Sequence, residues 1–179
     1  SESIFQLPPF LRSSADDVPA DDFATLPCHR DAVFTFGSTA SQHLINPIAI
    51  EKWSAVLQAV SASRLLIANS GMAAECDRHW LTQQFAKHGI DADRVELGEV
   101  APERHRAAFF DAIDLLLDTV PVNAYVAAAE AVGAGVPVLT LCGTRPAART
   151  TASLLDTYGL EDLVAHSHEE YFQMACAFT

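Results

Sequence analysis

The sequence predicts an α/β protein: a Rossmann-like, doubly wound, mostly parallel sheet with helices on both faces. Three observations carry this expectation. Short apolar runs alternate with amphipathic stretches of helical length from residue 32 to the end of the 179-residue chain, as consecutive βαβ units do. The connections between them are short, which suits right-handed crossovers within one sheet. Gly89 and Gly159 stand where two of the expected helices should stop, the usual place for a left-handed C-cap.

The elements follow in order. Ala32 to Phe36 reads as a strand, and Pro47 to Val60 as a helix with Trp53, Val56, Leu57 and Val60 on one face. Arg64 to Ala68 is the next strand, and Ala73 to His88 a helix closed by Gly89. Arg94 to Leu97 is a strand, and Pro102 to Ala112 a helix with proline in its first turn. Ile113 to Asp118 is a strand, Ala124 to Val132 an alanine-rich helix, and Pro137 to Leu141 a strand. Pro146 to Tyr158 is a helix capped by Gly159. Leu163 to Ala165 is a short sixth strand, and His168 to Phe178 a last helix. Residues 1–31 show no sustained period and read as an extended lead-in ahead of a single domain over 32–179. The loops Gly37–Ile45, Asn69–Met72, Gly98–Ala101, Thr119–Asn123 and Cys142–Arg145 should gather at one sheet edge, where an open α/β sheet holds its ligand.

Bulk properties narrow the function classes. A net charge of −12 argues against a general nucleic-acid or anionic-membrane partner, since both need a basic surface. No apolar run is long enough to span a bilayer, and the start SESIFQLPPF lacks the basic, then apolar, order of a signal peptide. Cys28, Cys76, Cys142 and Cys176 are scattered and form no CxxC pair, so reduced thiols in a cytoplasmic protein are expected. Cys76 with His79 lacks a second ligand pair nearby, and no metal site is expected. Ser38 and Ser41 have no recognisable base and acid, so a hydrolase triad is unsupported.

The most informative stretch is Asp118 to Cys142, DTVPVNAYVAAAEAVGAGVPVLTLC. Backbone N–H groups at Tyr125, Val126 and Ala127, where its helix starts, can hold an anion such as a phosphate. Glu130, further along that helix, can either hydrogen-bond a ribose hydroxyl or simply reach solvent. Arg104, His105 and Arg106 form the one dense basic cluster and are either ligand contacts or surface charges. His43 is a second, weaker phosphate candidate. Arg149 is read first as a helix anchor.

Taken together, FTFGS followed by INP, FAKHGIDADRVEL, DLLLDTVPVN, EAVGAGVPVLTL and GLEDLVAHSHEEY resemble the C-terminal lobe of the O-linked N-acetylglucosamine transferases and their SPINDLY-like relatives. The resemblance runs over essentially the whole chain. It implies the C-terminal half of a two-lobed (GT-B) glycosyltransferase, with residues 32–179 as a nucleotide-sugar-binding domain. The implied function is that of the donor-binding lobe of a nucleotide-sugar-dependent protein O-glycosyltransferase. The implied donor is a UDP- or GDP-linked sugar with no further cofactor. A protein acceptor and an upstream lobe or helical-repeat region are the implied partners. The implied substrate-binding residues are Ala101, Arg106, Tyr125, Val126, Ala127 and Glu130, with no catalytic residue assigned. Where the family places a diphosphate lysine this chain has Leu44, and where it places Gly-His-Thr-Thr this chain has Ala124, Tyr125, Val126 and Ala127. Those departures keep open a second reading: a non-catalytic lobe acting as a binding or assembly module.

Overall fold

The computed structural model describes residues 27–69, 75–98 and 106–179, the side chains of Asp31 and Arg106 excepted. Six strands are described: β1 (Phe34–Ser38), β2 (Ser63–Ala68), β3 (Val95–Gly98), β4 (Leu115–Leu117), β5 (Val138–Leu141) and β6 (Val164–Ala165). They form one sheet in the order β3-β2-β1-β4-β5-β6, and all five neighbouring pairs are parallel. The central strands are buried on both faces, as this topology requires. Phe36, Leu65, Ile67, Leu115, Val138 and Leu139 have essentially no exposure. The doubly wound sheet expected from the alternation is the fold observed.

Seven helices are described: α1 (Pro27–Asp31), α2 (Pro47–Ala59), α3 (Glu75–Lys87), α4 (Arg106–Phe110), α5 (Tyr125–Gly133), α6 (Thr150–Thr157) and α7 (His168–Ala177). Local chemistry sets their ends. Asn46 caps α2, its side-chain oxygen accepting from the amides of Ile48 (2.9 Å) and Ala49 (3.2 Å), and Pro47 fills the first helical position. Gly89 (φ 73°) and Gly159 (φ 68°) end α3 and α6 in the left-handed region, where an L side chain is strained. At each, the following amide reaches back to close the last turn: Ile90 to Phe85 and Leu160 to Leu155.

Two expectations are corrected. The lead-in read as extended through residue 31 contains the helical turn α1; residues 1–26 lie outside the described residues. The carboxylate of Asp114 holds this turn against the sheet, accepting from the amides of Cys28 (2.9 Å) and Thr35 (2.8 Å). The helix expected over Pro146–Tyr158 is two pieces, a 3-10 turn over Pro146–Ala148 and then α6. Here the carbonyls of Ala147 and Ala148 accept from the amides of Asn123 (2.9 Å) and Gly143 (2.8 Å). Those acceptors are turned toward neighbouring loops and do not extend the helix.

Helix α7 crosses back onto α2, and its Tyr171 is buried with Trp53 in the core. Arg94 closes the far end of α2. Its guanidinium donates to the carbonyls of Leu57 (2.8 Å), Val60 (2.8 Å) and Ser63 (3.0 Å). Among the described residues, no helix is long and apolar enough to cross a membrane.

Candidate functional site

β1 and β4 are neighbours, yet the chain leaves β1 toward β2 on one side and leaves β4 toward β5 on the other. Their loops diverge, and a crevice must open between them at the carboxyl edge of the sheet. A cleft of about 370 Å³ lies there. Thr39, Ala40, Ser41 and Leu44 from the loop after β1 form one wall, and Ala68 and Asn69 at the end of β2 form the floor. Asn123, Ala124, Tyr125, Val126, Ala127 and Glu130 form the opposite wall.

The sequence-derived residues on α5 are therefore brought together. Ala127 is buried, Tyr125 and Glu130 are half-buried, and Val126 stands 66% exposed at the mouth. Burial pushes the Tyr125 phenol above its ordinary pKa, with a smaller push from Tyr158, so it faces the cleft as a neutral hydroxyl. His43, in the 3-10 turn Gln42–Leu44, is exposed and is not among the lining residues. Arg149 is exposed at the start of α6. Ala101, Arg104 and His105 lie outside the described residues, and Arg106 is the first residue of α4.

Neither wall is left to drift. Asn69 donates to the carbonyl of Ala40 (2.8 Å). Asn46 donates to the carbonyls of Leu44 (3.0 Å) and Val120 (2.6 Å), so one side chain fixes both loops that diverge at the crevice. Beneath α5 lies a polar knot that sequence reasoning missed. Asp118, 1% exposed, accepts from the amides of Thr119 (2.8 Å) and Ala124 (2.7 Å) and from the Thr140 hydroxyl (2.7 Å). Asn123 donates to Thr140 Oγ1 (3.3 Å) and accepts from the amide of Thr151 (3.4 Å). The available signal was the run of polar residues closing an apolar strand, Asp118, Thr119 and Asn123.

Chemically, the cleft offers backbone donors, the Tyr125 hydroxyl and one carboxylate. The first intrahelical bond of α5 runs from the amide of Ala128 to the carbonyl of Ala124 (3.0 Å). The amides of Tyr125, Val126 and Ala127 consequently have no acceptor within the helix, and Ala124 at the N-cap supplies no side-chain cap. These donors and the positive end of the helix favour an anion. Glu130, one turn further along, is the only charged side chain among the described lining residues and suits a hydroxyl-rich ligand portion better than a phosphate. Among the described residues no group of three or more His, Cys, Asp or Glu is placed to hold a metal ion.

Comparison with known proteins agrees with this architecture. Residues 26–179 match the family described as Glycosyl transferase family 41. The chain is 29% identical over 175 residues to a probable UDP-N-acetylglucosamine–peptide N-acetylglucosaminyltransferase SPINDLY from Eustoma exaltatum subsp. russellianum, covering 97% of this chain and 19% of that protein. It superposes on a mutant O-GlcNAc transferase of Thermobaculum terrenum with a TM-score of 0.82 and 31% identity, covering 90% of this chain and 31% of the other. The C-terminal domain of the group 1 glycosyl transferase LpcC from Francisella tularensis shares the fold at a TM-score of 0.50 and 12% identity, covering 89% of this chain and 92% of that domain. The chain thus spans about a fifth of the length of the curated relatives it matches.

Proposed function

This chain belongs to glycosyl transferase family 41, and we propose that it is the donor-binding lobe of a nucleotide-sugar-dependent protein O-glycosyltransferase. The observation that carries the reading is the cleft at the crossover point, where the open amides of α5 and Glu130 share one wall. A nucleoside diphosphate fits both features at once: its phosphates take the amides, and a ribose hydroxyl takes the carboxylate. In transfer, negative charge grows on the departing nucleoside diphosphate. Fixed amide dipoles aimed at that charge stabilise the transition state more than the ground state. The sugar would pass to a serine or threonine hydroxyl of a protein, with inversion at the anomeric carbon. The acceptor, an upstream lobe or repeat region that presents it, and a cytoplasmic setting all belong to this proposal.

Calorimetric titration with UDP- and GDP-linked sugars tests it. Glu130→Ala is expected to weaken binding about tenfold, the worth of a hydrogen bond to a charged group. Equal affinity in the variant would place the ligand elsewhere.

One observation supports a second reading. Leu44, packed against the core, lines the cleft; the resemblance to the family implies a diphosphate lysine at this position, and leucine offers no charge to a leaving nucleotide. A lobe that binds or assembles without transferring sugar has the same scaffold. Assays of donor hydrolysis and protein glycosylation by the full natural protein separate the two readings.

A further inference from the structure

The reading of the cleft as a diphosphate site leaves unexplained why a carboxylate lies buried directly behind the amides that would hold the anion. Asp118 Oδ1 accepts from Thr119 and Ala124, the residue just before α5, while Oδ2 accepts from Thr140 on β5. Ala124 is itself a lining residue. One side chain thus ties the start of α5 to the ends of β4 and β5.

We propose that Asp118 is a positioning residue whose carboxylate sets the direction of the open α5 amides and takes up a proton when an anionic diphosphate occupies the cleft. This rests on the cleft reading given above. Two states of the carboxyl group fit the same hydrogen-bond frame. Ionised, it accepts from all three donors. Protonated, Oδ1 still accepts both amides, and the new O–H needs an acceptor beside Oδ2. The Thr151 hydroxyl is fully buried and faces the carboxylate, where it adds to the groups that favour the charge, and a hydroxyl can turn its lone pairs to a carboxyl O–H instead. It is a ready acceptor for that proton. Burial already favours the neutral form, outweighing the hydrogen bonds that favour the charge. An anion bound at the amides adds like-charge repulsion and favours the neutral form further. Among the described residues, the other titratable group facing Asp118 is Tyr171 from α7, whose hydroxyl donates to the Asp118 carbonyl (3.5 Å) and whose pKa is itself raised. From β5, α6 and the loop, the hydroxyls of Thr140 and Thr151 and the amides of Thr119 and Ala124 meet it, all uncharged.

The test is calorimetry of this chain with UDP-N-acetylglucosamine and a GDP-linked sugar, neither of which titrates near neutrality, from about pH 8 to about pH 5 in buffers of different ionisation enthalpy. Wild type is expected to take up protons on binding and to bind more tightly as pH falls. A coupling of one pKa unit corresponds to about tenfold in affinity. Glu130→Gln removes the other carboxylate at the cleft, and in that background the uptake should persist. Asp118→Asn, which keeps the acceptor for both amides, should abolish it. Thr140→Val removes a donor that favours the charge, so the pH at which proton uptake is greatest should move up. Should Asp118→Asn prevent folding, an uptake profile in Thr140→Val that overlays the wild-type one overturns the proposal. Binding by wild type with no proton uptake, or with uptake unchanged in Asp118→Asn, overturns it while leaving the cleft reading intact. No binding of either nucleotide sugar by wild type overturns both.

Discussion

Leu44 sits in the wall of the cleft, half-buried, with its carbonyl pinned by Asn46. A lysine there would carry its ammonium toward the space above the α5 amides, its aliphatic stem replacing the leucine against the core. Leu44→Lys is therefore expected to tighten binding of a nucleoside diphosphate. One added charge-assisted contact is worth about 1.5–3 kcal/mol, or about ten- to a hundredfold. Calorimetry with UDP reads it directly, and an unchanged affinity would mean that the diphosphate does not lie between the two walls. Residues on this scale were unevenly legible. Tyr125 to Glu130 announce themselves because a helix starting just after a strand has a fixed place in the fold. Asp118 and Thr140 do not, because 22 positions separate them along the chain and only the pairing of β4 with β5 makes them partners.

At the scale of elements, the same contrast separates what periodicity shows from what long-range hydrogen bonds impose. The alternation of apolar runs gives every strand and the long helices, with boundaries within a few residues. It does not give α1, whose anchor Asp114 lies 86 residues away, nor the break before α6, which depends on amides from two other loops. The junction of α2, β2 and β3 is another case. Arg94 precedes β3 and satisfies carbonyls at the end of α2 and the start of β2. The carbonyls of Leu57 and Val60 are among those a helix leaves open at its C-terminus, and a cation there also suits the helix dipole. Arg94→Ala removes a donor shared by three part-buried carbonyls, of which Val60 keeps the Ser63 hydroxyl, and is expected to cost about 2–3 kcal/mol. Arg94→Lys should recover only part of that, since a single ammonium cannot reproduce the planar fork. Urea unfolding midpoints measure both. Equal stability of the alanine variant would show that water replaces the guanidinium without loss.

For the whole molecule, the strand order fixes where the site falls, and the packing of α7 across α2 closes the face opposite α5. Tyr171 is the centre of that closure: it is 1% exposed, lies beside the Trp53 indole, and its hydroxyl reaches the backbone of Asp118 at 3.5 Å. Burial pushes its phenol well above the ordinary value of 10.0, because a phenolate in this core would have lost its water. The consequence for stability has a definite sign. Below the unfolded value both states carry the proton and stability does not depend on this group. Above it the unfolded chain releases the proton while the folded chain keeps it, so stability falls as pH rises. One such proton is worth about 1.4 kcal/mol per pH unit. Cys28, Cys176 and Tyr125, also raised mainly by burial, push in the same direction but are less buried. Tyr171→Phe removes the proton and keeps the ring, so its urea midpoint should fall less steeply than that of wild type above about pH 10, by up to that amount per unit. At neutral pH the variant loses only a long hydrogen bond and should stay within about 1 kcal/mol of wild type. Parallel pH profiles for the two proteins would mean that the phenol titrates freely in the fold, and that α7 does not seal the core behind the cleft.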